Sequence, residues 1–352
     1  MKSKRWAASA ATLVLVVGST GCAGQEPAPA SETVESARQR VERLLSALSA
    51  DSLEGRATAS AGALKAARII GNELAAYGVE PAGDRGFFQR VPLVPATRRG
   101  RETLALSSFD SDNPDAAALR IGRNVVGVIH GSDPSVADQA ILVGAHYDHV
   151  GIRQPVDGDS IYNGADDDAS GVVAVLEAAR ALASGMPPRR TVVFALFTGE
   201  ELGLLGTRWY LDNPVVPLER TVAELQIEMI GRPDDLAGGP GKLWLTGFER
   251  STIGESLAAE GVSVVVDPRP DQNFFQRSDN FAFAVRGIPA HTLSSFGMHE
   301  DYHRPSDEVE LVDFDHMTLA VEAIIQAVRI LANADDAPSW NEGGQPEPRR
   351  RN

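Results

Sequence analysis

The segment FTGEELGLLG sets Glu200 beside Glu201 directly after the apolar run TVVFALF. Adjacent carboxylates repel one another unless each has its own partner. Neighbouring side chains at a strand end point in different directions, so the pair suits two carboxylates with two separate tasks. Similar candidates follow other apolar runs. GAHYDHVG carries His146 and Asp148 two residues apart, on one face if the strand continues, with His149 pointing away. A metal-binding histidine oriented by a carboxylate has this composition. YNGADDDASGVV places Asp166, Asp167 and Asp168 ahead of a helix, where one acid would cap the helix and three crowded acids call for a cation. Glu228 interrupts the apolar strand LQIEM, which is costly unless it is bound to metal or paired, for example with Arg232. His303 follows Tyr302 in DYHRPSD. Taken singly, each has an ordinary explanation: a satisfied core histidine, a helix cap, a buried salt bridge, a packing tyrosine.

Holding such groups together requires a rigid frame. Val41, Leu44, Leu45 and Leu48 recur at helical spacing, as do Leu64, Ala67, Ile69, Ile70 and Leu74, so two amphipathic helices open the ordered chain. Strand-like runs (NVVGVIHG, QAILVGAH, TVVFALF, AELQIEM, KLWLTG, VSVVV, IPAHTL) then alternate with helical ones (GVVAVLEAARALA, ESLAAEG, FDHMTLAVEAIIQAVRILA). That alternation predicts an α/β domain with a mostly parallel sheet covered by helices on both faces. Ligands of open α/β sheets gather at the carboxyl ends of strands, and the polar clusters after QAILVGAH, TVVFALF and LQIEM fall there.

With 352 residues, 43% of them hydrophobic, the chain can bury a sizeable core, and a net charge of −15 argues against nucleic acid as a partner. MKSKRW followed by an apolar run too short to span a bilayer reads as a signal peptide over residues 1–21. Cys22, the sole cysteine, stands where a bacterial lipoprotein would be cleaved and lipidated. The expectation is export and a lipid anchor facing the periplasm or exterior, with plain secretion as the alternative. No intrachain disulfide is possible. Residues 22–36 read as the lipidated cysteine and a flexible linker, 37–334 as the folded domain, and 335–352 as a disordered tail.

HYDHVG, NGADDDASG, FTGEELGLLG, QIEMIGR and DYHRPSD, in this order and at these separations, resemble the di-zinc aminopeptidase family. That family includes bacterial secreted leucyl aminopeptidases and is related to glutamate carboxypeptidase and the glutaminyl cyclases. LSADSLEGRATASAG and AAYGVEPAGDRGFFQRVPL resemble its N-terminal segment. The resemblance implies a single-domain zinc-exopeptidase fold with a mixed, mostly parallel twisted sheet, two Zn²⁺ per chain and peptide substrates shortened from the N-terminus. It makes His146 and Glu228 ligands of one zinc, Glu201 and His303 ligands of the other, and Asp167 the bridge. Asp148 would support His146, Glu200 would be the general base acting on a bridging water, and Tyr302 a donor to the oxyanion. A cis peptide bond between Asp167 and Asp168 is also implied. Imidazole and carboxylate ligands without cysteine suit catalytic zinc with open positions.

Glu228 stands where such aminopeptidases often have Asp, and Asn280 where relatives often have His, so contacts in the cleft should differ. Rival activities are a one-zinc glutaminyl cyclase, a carboxypeptidase or N-acyl amino acid deacylase, and an inactive binding protein on the same scaffold. The complete ligand set favours hydrolysis. Oligomeric state is not legible in the sequence.

Overall fold

The computed structural model describes residues 35–347. The expected signal peptide, Cys22 and nearly all of the linker lie outside the described residues. Ser36 caps helix α1 (Ala37–Leu48), accepting a hydrogen bond from the Gln39 N–H while the Gln39 side chain accepts one from Ser36. The α1 residues Val41, Leu44, Leu45 and Leu48 are buried, as their spacing requires. The other helices are α2 (Ala61–Ala76), α3 (Gly171–Ala183), α4 (Leu205–Asp212), α5 (Thr252–Ala259), α6 (Asn280–Ala284) and α7 (Phe314–Asn333).

Ten strands form one sheet: β1 (Glu80–Pro81), β2 (Phe88–Arg98), β3 (Arg101–Leu106), β4 (Arg120–Ile129), β5 (Ala140–His146), β8 (Thr191–Phe197), β9 (Thr221–Ile227), β10 (Leu243–Leu245), β11 (Val264–Val266) and β12 (Ala290–Ser294). Strands β6 (Gly151–Val156) and β7 (Asp159–Tyr162) make a separate hairpin. The order is β11-β10-β12-β9-β5-β8-β4-β2-β3, with β1 beside β4. Its centre, β12-β9-β5-β8, is parallel as expected. The flank is less parallel than the sequence suggested, because β8, β4, β2 and β3 pair antiparallel. The β2–β3 connection explains part of this: Arg99 and Gly100 both take positive φ (52° and 77°), the tight two-residue turn that joins antiparallel strands.

Alternation along β5 divides the core. Ile141, Val143 and Ala145 pack with residues of α1, α2, α3 and α7, whereas Ala140 and Leu142 pack with Tyr210 and Leu211 of α4 and Phe283 of α6. Helices therefore cover both faces, which is why β5 and β8 are continuous apolar runs without a polar face. Parallel registration sets His146 opposite Phe197, so the loops leaving β5 and β8 emerge side by side.

The expected disordered tail is not borne out over residues 335–347. Trp340 donates its indole N–H to the Gly287 carbonyl, the Asn341 side chain bonds the Glu249 carbonyl, and Arg250 reaches the Gly344 carbonyl. Polar composition suggested solvation, but one half-buried aromatic anchor and a backbone bridge to Ser251 fasten the segment. Among the described residues, no helix is long and apolar enough to cross a membrane.

Candidate metal centre

Strand β5 ends at His146, so the alternation expected through Asp148 and His149 does not continue. The His146 ring is fixed by the backbone carbonyl of Asp148, 3.0 Å from Nδ1, and not chiefly by its carboxylate, which stands 3.9 Å away. That carboxylate instead accepts from the Thr58 hydroxyl (2.7 Å) and the Glu200 backbone N–H (3.2 Å). His149 does not point away, as strand geometry had suggested; it turns inward and is buried.

The three consecutive aspartates divide their work. Asp166 accepts from the Gly231 N–H and contacts His299, and Asp168 accepts from the N–H groups of Gly171, Met229 and His146. These two carboxylates tie the loops after β5, β7 and β9 together. Asp307 holds the backbone N–H groups of Asp166 and Asp167 from the opposite side. Of the three, it is the Asp167 side chain that faces His146, His149 and His303. The Asp167–Asp168 peptide bond is cis.

Around Asp167 the candidate ligands fall into two groups. Its Oδ1 lies 3.2 Å from His146 Nε2, and its Oδ2 lies 3.1 Å from His303 Nε2. His303 Nε2 is also 3.1 Å from Glu201 Oε1. His146, Asp167 and Glu228 each offer an atom within 4.8 Å of the others, as do His149, Asp167, Glu201 and His303. Asp167 is common to both groups. Arg232 does not neutralise Glu228, because it pairs with Asp301 at 2.6 Å. Met229 and His303 take left-handed backbone (φ 51° and 54°), unusual for such residues and costing of order 1 kcal/mol each.

The electrostatics favour a cation. Burial opposes charge on His303, but Asp167 and Glu201 raise its pKa to about 10. His146 rises well above the usual imidazole value against the same burial, through Asp167 and Glu200. Burial and the Asp167 charge work to raise Glu201, yet His149 and His303 bring it down to about 2. Glu228 goes up to about 7, first through burial. Glu200 rises well above the carboxylate range, again first through burial, with Glu228, Glu201 and Asp279 adding to it. His146 Nε2, both ring nitrogens of His149 and Glu201 Oε1 are buried without a directed hydrogen bond. Buried polar atoms are rarely left so, and a divalent ion between the two groups would satisfy them.

One residue outside the sequence-derived set, Arg56, supports this centre. Arg56 is 1% exposed and donates to the carbonyls of Leu48, Tyr147, Asn163 and Gly164, clamping the loops that carry His149 and Asp167. It lies in LEGRATAS, a stretch that resembles the family's N-terminal segment but carries no local signal for this arginine. Asn280, which stands where relatives often have His, donates to the Phe275 carbonyl and accepts from the Thr292 hydroxyl. Tyr302 stacks on His303 with centroids 4.0 Å apart and lines the pocket that Glu228 also lines.

The sequence pattern of peptidase family M28 matches residues 124–328, and the chain belongs to that family. Aminopeptidase YwaD of Bacillus subtilis (strain 168) is 24% identical over 249 residues, covering 68% of this chain and 51% of YwaD. A probable zinc metalloprotease of Pyrenophora teres f. teres (strain 0-1) is 26% identical over 271 residues, covering 68% and 56%. The chain thus spans about half the length of these curated relatives. Among solved structures, BSAP, a zinc aminopeptidase from Bacillus subtilis, superposes with a TM-score of 0.63 at 16% identity, covering 85% of this chain and 96% of that one. The aminopeptidase from Aneurinibacillus sp. strain AM-1 gives 0.60 at 16% identity, covering 85% and 95%. These likenesses show the fold.

Proposed function

We propose that this protein is a zinc-dependent aminopeptidase that removes N-terminal residues from peptides. The observation carrying this reading is the position of Asp167, with one carboxylate oxygen toward His146 and the other toward His303. A carboxylate so placed suits two ions, with His146 and Glu228 on one side and Glu201 and His303 on the other. Zinc bound there would supply Lewis acidity for the scissile carbonyl and lower the pKa of water.

The chain's own groups do the rest. Glu200 is the general base: half-buried beside Glu201, with its pKa raised, it takes a proton from the attacking water and returns it to the leaving amine. Asp148, through the Glu200 N–H, fixes the loop that carries this base. Tyr302, stacked on His303, would donate to the developing oxyanion. Trp244, Phe274, Phe296 and Met229 line the pocket beside Glu228, which suits an apolar substrate side chain. From the sequence alone, we also infer export and lipidation of Cys22; Cys22→Ser should move the protein from the membrane to the soluble fraction, and an unchanged distribution would contradict the anchor.

The discriminating assay compares leucyl- and phenylalanyl-arylamides with their N-acetylated forms, alongside N-terminal glutaminyl peptides. Chelator-sensitive cleavage of the free-amine substrates alone is expected. Equal cleavage of blocked and free substrates would overturn the aminopeptidase reading, and pyroglutamate formation without hydrolysis would favour a cyclase.

A further inference from the structure

His149 is spent on no role assigned so far. Its ring is 1% exposed, and neither nitrogen makes a directed hydrogen bond. Nδ1 lies 2.9 Å from Glu201 Oε1 and 3.7 Å from Asp167 Oδ2, and the ring stands edge-on to His303 with centroids 5.4 Å apart. A structural histidine in a core normally satisfies both nitrogens, and this one satisfies neither.

The ring is also held in place. The His149 backbone N–H donates to the Arg56 carbonyl at 3.3 Å, and the Arg56 side chain in turn bonds the Gly164 carbonyl. Gly164 takes a positive φ of 58°, and a Cβ there would lie 2.6 Å from the His149 ring. Only glycine both adopts that backbone and leaves the imidazole its space. The glycine of NGADDD thus serves the histidine of HYDH from a separate loop.

We propose that His149 is a further protein ligand, through Nδ1, for the metal held by Asp167, Glu201 and His303; the inference rests on the metal-centre reading above. That side of the centre then offers two imidazoles and two carboxylates, against one imidazole and two carboxylates on the His146 side. Imidazole favours zinc, cobalt and nickel over manganese and magnesium, so the two positions differ in affinity and the His149 side fills first. A hydrogen-bond donor to Glu201 would be the other use of this ring, and it predicts a ring that stays unmetallated when zinc binds.

The test has two arms on the full chain. Metal-stripped wild type, His149→Ala and His149→Gln are titrated with Zn²⁺ against a chromophoric chelator, after metal-free melting curves establish that the variants fold. Wild type should bind two equivalents, and the variants should hold one of them at least roughly 10- to 100-fold more weakly, the range seen even for residues that only support a ligand. The second arm needs no variant. Of the seven histidines, ¹⁵N-labelled rings should show three metallated on zinc saturation, one through Nδ1 and two through Nε2. Two metallated rings, with unchanged zinc affinity in the variants, would overturn the assignment and leave the metal centre intact. Failure of wild type to bind zinc would overturn the metal-centre reading itself.

Discussion

Asp148 Oδ1 accepts the backbone N–H of Glu200 at 3.2 Å, linking the ends of two parallel strands through one hydrogen bond. The contact couples the loop that presents His146 to the loop that presents both glutamates. Asp148 therefore acts on the proposed base as much as on the histidine two residues before it.

Asp148→Asn replaces an acceptor-only group whose two oxygens serve Thr58 and Glu200. Zinc content should be retained while kcat falls by about 10- to 100-fold. Loss of zinc in step with activity would show that the carboxylate matters mainly for His146.

Zinc uptake should expel protons. His303, held up to about 10, and His146, held well above its usual value, are both charged in metal-free protein at neutral pH and must be neutral to bind metal. Apparent affinity should therefore rise with pH through the neutral range and level off only near the upper value. Zinc calorimetry in buffers of different ionisation enthalpy checks this; a buffer-independent heat would contradict it.

His291 supplies a separate pH signature. Its Nδ1 donates to the Thr246 carbonyl and its Nε2 accepts from Ser251, which suits a neutral ring. Burial, opposed by Thr246 and aided by Arg250, lowers its pKa to about 4. Between pH 4 and 6.5 the unfolded chain binds the extra proton, so this stability is present above about 6.5 and lost as pH falls toward 4, at most roughly 3 kcal/mol. In metal-free protein, the stability difference between wild type and His291→Gln should shrink over that window. A constant difference would contradict the assignment.

Removing the Arg56 side chain leaves buried carbonyls of Leu48, Tyr147, Asn163 and Gly164 without their donor. Arg56→Met should cost on the order of 3 kcal/mol or more by denaturant unfolding. A change below about 1 kcal/mol would show that the clamp is dispensable.

The sequence exposed most of the frame because buried strands and amphipathic helices carry their periodicity openly. It was least legible where the chain leaves regular structure. His149 was placed on the wrong side because alternation presumes that β5 continues past His146, and it does not. Crowding in ADDD pointed to a cation, yet Asp166 and Asp168 meet backbone N–H groups from distant loops, partners that no local pattern reveals. Arg56 and the Trp340 anchor share that difficulty: each is defined by carbonyls far away in sequence.

The most direct test returns to the adjacent glutamates. Glu201 stands among His149, His303 and Asp167, whereas Glu200 is half-buried with a raised pKa and belongs to neither ligand group. Zinc content and kcat should therefore be measured for Glu200→Gln and Glu201→Gln side by side. The account predicts that Glu200→Gln keeps its zinc while kcat drops by roughly 10²- to 10⁴-fold, unrescued by added metal, and that Glu201→Gln loses zinc and activity together. Zinc lost from Glu200→Gln and retained by Glu201→Gln would contradict it.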